Sequence, residues 1–202
     1  MMNSSFCSLA TFFLLLLPII SATRLPPPTT ADTKYIRTSC NVTLYPSLCY
    51  ASLSKYAKSI QSDPAKLARA SLSVSLSKAR HMVTYVVNLS RQTNSAEPKA
   101  AAALKDCYSV FDDAVDQMQR SIKEMKYLSS GEQLRFQMSN VQTWMSAALT
   151  NEETCTDGFE EVMDGPIKAD VIGKAGDVKK FTSNGLALVN NFVQQAVGYS
   201  SP

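Results

Sequence analysis

Apolar residues recur along this chain at alternating intervals of four and three, the repeat of one face of an α-helix. The clearest run is Leu72, Leu76, Ala79, Val83 and Val86. It follows Asp63-Pro64, a capping side chain and a proline suited to the first helical position, and predicts a helix over 64–91. A second stripe, Leu104, Cys107, Phe111, Ala114, Met118, Ile122 and Met125, opens near Pro98 and should end before Ser129-Ser130-Gly131. A third, Leu134, Met138, Val141, Met145 and Ala148, predicts a helix from Glu132 to Leu149. After an acidic turn and the Gly165-Pro166 break, a last helix carries Val178, Phe181, Leu188 and Phe192 on one side. No period of two persists anywhere, so no sheet is expected. Long helices with narrow apolar stripes and short connections have one common solution, an all-α, antiparallel up-down-up-down four-helix bundle.

The segment before the bundle reads differently. Leu44-Tyr45-Pro46 divides residues 32–59 into two short helical stretches, an N-terminal helical hairpin that precedes the bundle at 63–197 within one domain, 32–198. Residues 23–31 contain Pro26-Pro27-Pro28, which cannot close helical hydrogen bonds, and read as a disordered Pro/Thr-rich leader. Leu9 to Ile20 is an apolar run too short to span a bilayer, followed by the small residues Ser21 and Ala22. It predicts a signal peptide over 1–22, although no Lys or Arg precedes the run. No later stretch suits a membrane, so no membrane association is expected after cleavage.

Removal of the signal takes Cys7 away and leaves Cys40, Cys49, Cys107 and Cys155, an even set that suits two disulfides in an oxidising compartment. Four cysteines allow three pairings, and spacing favours only the short Cys40–Cys49 loop. A bridge between Cys107, on the inward stripe, and Cys155, just after the third helix, would tie neighbouring segments together. Zinc needs closer ligand pairs and usually histidine, whereas His81 is the single imidazole, so no metal is expected. The sequons at Asn41 and Asn88 are candidate glycosylation sites and fit a secretory route.

The formal net charge of +3 is mild, and its lysines and arginines are scattered among acids, which excludes a nucleic-acid face. Nor does a catalytic constellation emerge. His81 sits near the apolar seam, and Lys78 stands where a bundle metal site would place Glu. Asp112, Asp113 and Asp116 face outward, while Glu152, Glu153, Asp157, Glu160 and Glu161 read as solvated acids in the turn after the third helix. The methionine stripe, Met118, Met125, Met138 and Met145, reads as core filler. A structural bundle or small-ligand carrier, with that stripe lining a pocket, is the alternative from another class. No glycine-rich phosphate loop is present, so no cofactor and no enzymatic activity are expected.

Several blocks carry a family resemblance. Cys40-Asn41-Val42-Thr43-Leu44-Tyr45-Pro46-Ser47-Leu48-Cys49, Ala103-Leu104-Lys105-Asp106-Cys107, Trp144-Met145-Ser146-Ala147-Ala148-Leu149-Thr150, Thr154-Cys155-Thr156-Asp157-Gly158-Phe159 and Thr182-Ser183-Asn184-Gly185-Leu186-Ala187-Leu188 fall in order along the chain. Together they resemble the plant invertase/pectin methylesterase inhibitor family. The resemblance implies a bundle with an N-terminal hairpin, disulfides Cys40–Cys49 and Cys107–Cys155, and an apoplastic, cell-wall location. It also implies non-covalent, one-to-one inhibition of a pectin methylesterase or of an acid invertase. Invertase inhibitors of the family carry a Pro-Lys-Phe motif; the nearest pieces here are Pro166-Ile167-Lys168 and Lys179-Lys180-Phe181, so pectin methylesterase is the expected partner. The bundle also occurs as a pro-region ahead of pectin methylesterases, and the end of this chain at Pro202 gives the expectation of a separate inhibitor. Outward positions of the second and third helices, Tyr108, Asp112, Asp116, Gln119, Gln133 and Gln137, are the candidate partner-binding face.

Overall fold

Prolines set where the helices begin. Pro46, Pro64, Pro98 and Pro166 each stand in a first helical turn, where a missing N–H costs no intrahelical bond and the fixed φ is already helical. At Pro64 the preceding Asp63 completes the cap, its Oδ1 accepting from the Lys66 amide at 2.9 Å. The structure, a computed structural model, describes residues 30–93 and 97–198. The expected signal peptide and most of the expected leader lie outside those residues.

The order is α1 Thr30–Cys40, α2 Pro46–Leu53, a 3₁₀ turn Ser54–Tyr56, α3 Ala57–Ile60, α4 Pro64–Gln92, α5 Pro98–Glu124, α6 Gly131–Asp157 and α7 Pro166–Val197. All regular structure among the described residues is helical. Three boundaries differ from the periodicity. Helix α1 begins at Thr30, so the last two residues assigned to the leader are its first. Helix α5 stops at Glu124, several residues before the Ser129-Ser130-Gly131 break. Helix α6 runs past Leu149 to Asp157, which puts Cys155 inside the helix and makes Glu152, Glu153 and Asp157 helical residues instead of a turn.

Each long helix packs on its neighbours in sequence, and α4 also packs on α7, closing a ring of four. Side-chain pairs give the directions. Gln117 meets Asn151 while Glu124 meets Asn140, so α5 and α6 are antiparallel. Glu153 with Lys179 and Gln142 with Asn190 make α6 and α7 antiparallel, and Ser75 with Phe181 and Tyr85 with Asp170 do so for α4 and α7.

Leu72, Phe111, Met118, Met138 and Met145 are sealed from solvent inside this ring, each contributing about 1.5–3 kcal/mol of burial free energy. All four stripe methionines are at most 3% exposed, so the stripe packs as core. The hairpin has a core of its own, in which Ile36, Leu53 and Ile60 pack with Leu67 of α4 and Leu188 of α7. It therefore docks on the α4–α7 seam. Two disulfides are present: Cys40–Cys49 closes the hairpin across 9 residues, and Cys107–Cys155 joins α5 to α6 across 48.

Candidate functional site

A binding surface on a helical bundle is built from residues that the packing stripe leaves outside. On α5 the inward stripe leaves Tyr108, Asp112, Asp116 and Gln119 exposed, spaced so that they line one side of the helix. Asp116 is ion-paired to Arg120 at 3.0 Å on the same exposed side. Gln119 faces the shallow groove with α4 and shares it with Arg69, Ser73 and Lys123. Gln133 is exposed on the first turn of α6.

Gln137 is occupied elsewhere. Its Oε1 accepts from the Ser129 amide at 2.9 Å and its Nε2 donates to the Tyr127 carbonyl at 3.0 Å, so the side chain fastens the α5–α6 turn. Its reach toward Glu124 places it on the side of α5 that faces α6, whereas Gln119 lies on the side that faces α4. The six candidates thus do not form one patch: four run along α5, Gln133 stands alone on α6, and Gln137 is structural.

Two residues absent from that set stand out at the same end of the bundle. Phe136 on α6 is 69% exposed and Tyr127 in the α5–α6 turn is 75% exposed. Large aromatic rings held out in water by a fastened turn are the side-chain class that most often anchors protein interfaces. A sequence signal for Phe136 existed, because it lies off the Leu134, Met138, Val141 core register and had no inward slot to fill.

The block from Thr182 to Leu188 fixes the scaffold behind this surface. The Thr182 hydroxyl donates to Glu152 Oε1 at 2.7 Å, joining α7 to α6. Asn184 is buried and clasps the backbone of Tyr45, accepting from its N–H at 3.1 Å and donating to its carbonyl at 3.0 Å, which pins the hairpin's break to α7. Gly185 lets α4 come close, since a Cβ there would meet Ser75 Oγ at 3.2 Å. Glu152 itself is fully buried, against the expectation of a solvated acid, and burial pushes its carboxyl up to about 8 against the opposing pull of Thr182 and Lys179.

Glu152 is sealed in the core and cannot reach a substrate, and His81 is exposed on α4. Among the described residues no three His, Cys, Asp or Glu side chains converge on a metal position. Asn41 and Asn88 are both exposed, Asn41 in the turn after α1 and Asn88 on α4. No helix among the described residues is long and apolar enough to cross a membrane.

Comparison with known proteins adds the family. A family model described as plant invertase/pectin methylesterase inhibitor matches residues 34–188, spanning hairpin and bundle. A "21 kDa protein" of Daucus carota is 44% identical over 183 residues, 89% of this chain and 92% of its own. "Pectinesterase inhibitor 11" of Arabidopsis thaliana is 41% identical over 191 residues, 91% of this chain and 94% of its own. The crystal structure of a mutant form of a pectin methylesterase inhibitor from Arabidopsis shares the fold, with a TM-score of 0.61 at 18% identity over 77% of this chain and 95% of that one.

Proposed function

This chain belongs to the plant invertase/pectin methylesterase inhibitor family, and from that premise we propose that it binds a cell-wall pectin methylesterase non-covalently and blocks it. The observation that carries the reading is the likeness, along nearly the whole of both chains, to a relative named as a pectinesterase inhibitor. The missing Pro-Lys-Phe motif supports the same choice over acid invertase. The protein is not itself an enzyme; its effect on pectin is to hold back removal of methyl esters by its partner.

The surface proposed to meet the enzyme is centred on Phe136, Tyr127 and Gln133 near the α5–α6 turn, with the α5 stripe, Tyr108, Asp112, Asp116 and Gln119, as a separate second contact. What supports it is rigidity together with exposed aromatic anchors. The Cys107–Cys155 bridge and the Gln137 clasp hold the backbone before binding, so little conformational freedom is left to lose on docking. An oxidising, secretory destination in the apoplast fits the two disulfides. Glycans on the exposed Asn41 and Asn88 would be compatible with it, Asn41 lying in the hairpin, which packs on α4 and α7. The test is size-exclusion chromatography of the protein mixed with pectin methylesterase and, separately, with acid invertase. A one-to-one complex with the esterase alone is expected; a complex with invertase alone would overturn the reading.

A further inference from the structure

In the ring of helices, α5–α6 and α4–α7 are opposite edges, and the hairpin covers only part of the α4–α7 seam. Beside the hairpin's turn, at Tyr45 and Leu48, the seam opens into a groove of about 790 Å³ lined by Met82 and Tyr85 of α4 and Val178 and Phe181 of α7. That volume lies in the range of about 300–1,000 Å³ typical of small-ligand clefts. Lys78, His81, Lys174 and Lys180 stand along it against one lining carboxylate, Asp177. A second depression of about 370 Å³ adjoins it through Lys78 and His81 and ends at Lys55 and Tyr56 of the hairpin.

The cations and rings are arranged in pairs. The Lys174 ammonium lies 5.0 Å from the Tyr85 ring, the Lys78 ammonium 4.8 Å from the Phe181 ring, and the Lys55 ammonium 5.0 Å from the Tyr56 ring. Lys174 and Lys180 also have carboxylate partners on their own helix, Asp170 and Asp177, in exposed pairs that solvent and salt already weaken. Lys78 holds its charge over a ring. Tyr85 donates to Asp170 and, with Lys174, keeps that carboxyl below its usual range.

A repeated unit of one cation beside one aromatic face matches a repeated ligand with one carboxylate beside one flat C–H face, which is the description of a hexuronate sugar. We propose that the α4–α7 groove binds an acidic oligosaccharide, a short run of de-esterified uronate units. The ligand class rests on the proposed function, because a pectin methylesterase generates such carboxylates; the groove's geometry does not. An inhibitor that holds the product chain on the face away from the enzyme would be retained where de-esterification has already occurred.

The test is calorimetric titration of the intact protein with oligomers of α-1,4-linked galacturonic acid, their fully methyl-esterified counterparts, and a short single-stranded oligonucleotide. Saturable binding of the acid oligomer is expected, weakened by salt, with the ester and the oligonucleotide bound at least about tenfold more weakly. Lys78→Ala combined with Lys174→Ala, both at exposed positions, should weaken acid-oligomer binding about tenfold or more while melting temperature and esterase inhibition stay unchanged. Equal binding of ester and acid, tighter binding of the oligonucleotide, or indifference to the double substitution would overturn the proposal. Oligomer binding by a protein that fails to inhibit the esterase would leave the groove standing and remove the proposed function instead.

Discussion

Replacing Glu152 by Gln should change how the protein's stability depends on pH. The side chain is fully buried on α6; Oε1 accepts from Thr182, and Oε2 has no hydrogen-bond partner among the described residues. Burial raises the carboxyl from an ordinary 4.5 to about 8 in the folded state. Below pH 4.5 both folded and unfolded chains hold the proton and Glu152 imposes no penalty. Between 4.5 and about 8 the unfolded chain releases a proton that the folded chain keeps, so stability falls as pH rises. At 1.36 kcal/mol per unit, the loss approaches about 4–5 kcal/mol near pH 8 and then levels off. Gln keeps the shape and still offers Thr182 an acceptor, without a proton to lose. Melting temperatures of both proteins from pH 4 to 9 should therefore differ by a fixed offset at the acid end, set by the unpartnered Gln Nε2 donors, and the difference should shift by roughly 10 °C or more in the variant's favour by pH 8 at about 2–4 °C per kcal/mol. Parallel profiles for the two proteins would refute the assignment of a protonated Glu152.

Four further outcomes follow from the geometry. Cys107→Ser or Cys155→Ser should cost more stability than Cys40→Ser or Cys49→Ser, because loops of 48 and 9 residues correspond to roughly 4 against about 2.5 kcal/mol of lost cross-link entropy, read as a larger drop in melting temperature. Asn184→Ala should release the clasp on Tyr45, cost about 1–3 kcal/mol and expose the hairpin to proteolysis before the bundle; a hairpin as resistant as in the parent would contradict it. Phe136→Ala should weaken esterase inhibition by about 2 kcal/mol or more and leave the melting temperature nearly unchanged, and Asp112→Ala with Asp116→Ala should weaken it as well; inhibition constants give the answer.

Much of the bundle was legible because its inward stripes are nearly continuous and prolines mark three of the four long helices' starts. The end of α6 shows where the pattern misleads. Val141, Met145, Ala148, Glu152 and Cys155 keep the alternation of four and three without a break, and all five are buried. A charged residue in one core slot made the helix look finished eight residues early. Burial of a carboxylate is costly enough that charge reads as surface, and only the tertiary contact with Thr182 and retention of a proton reverse that inference. At Gln137 polarity suggested a free face, whereas its hydrogen bonds close a turn whose backbone geometry no periodicity describes. The docking of the hairpin, and with it the groove it leaves open, depends on contacts between residues as distant as Tyr45 and Asn184 and could not be read from spacing. The block around Thr182 was recognisable as a motif, but its physical roles, a partner for Glu152, a clasp and a close helix approach, required the fold.

The central claim is tested most directly by titrating the purified protein against a fixed concentration of plant pectin methylesterase and, in parallel, acid invertase. Loss of esterase activity that saturates at one equivalent, with invertase activity unchanged at the same concentrations, is the predicted result; inhibition of invertase alone, or of neither enzyme, would contradict the account.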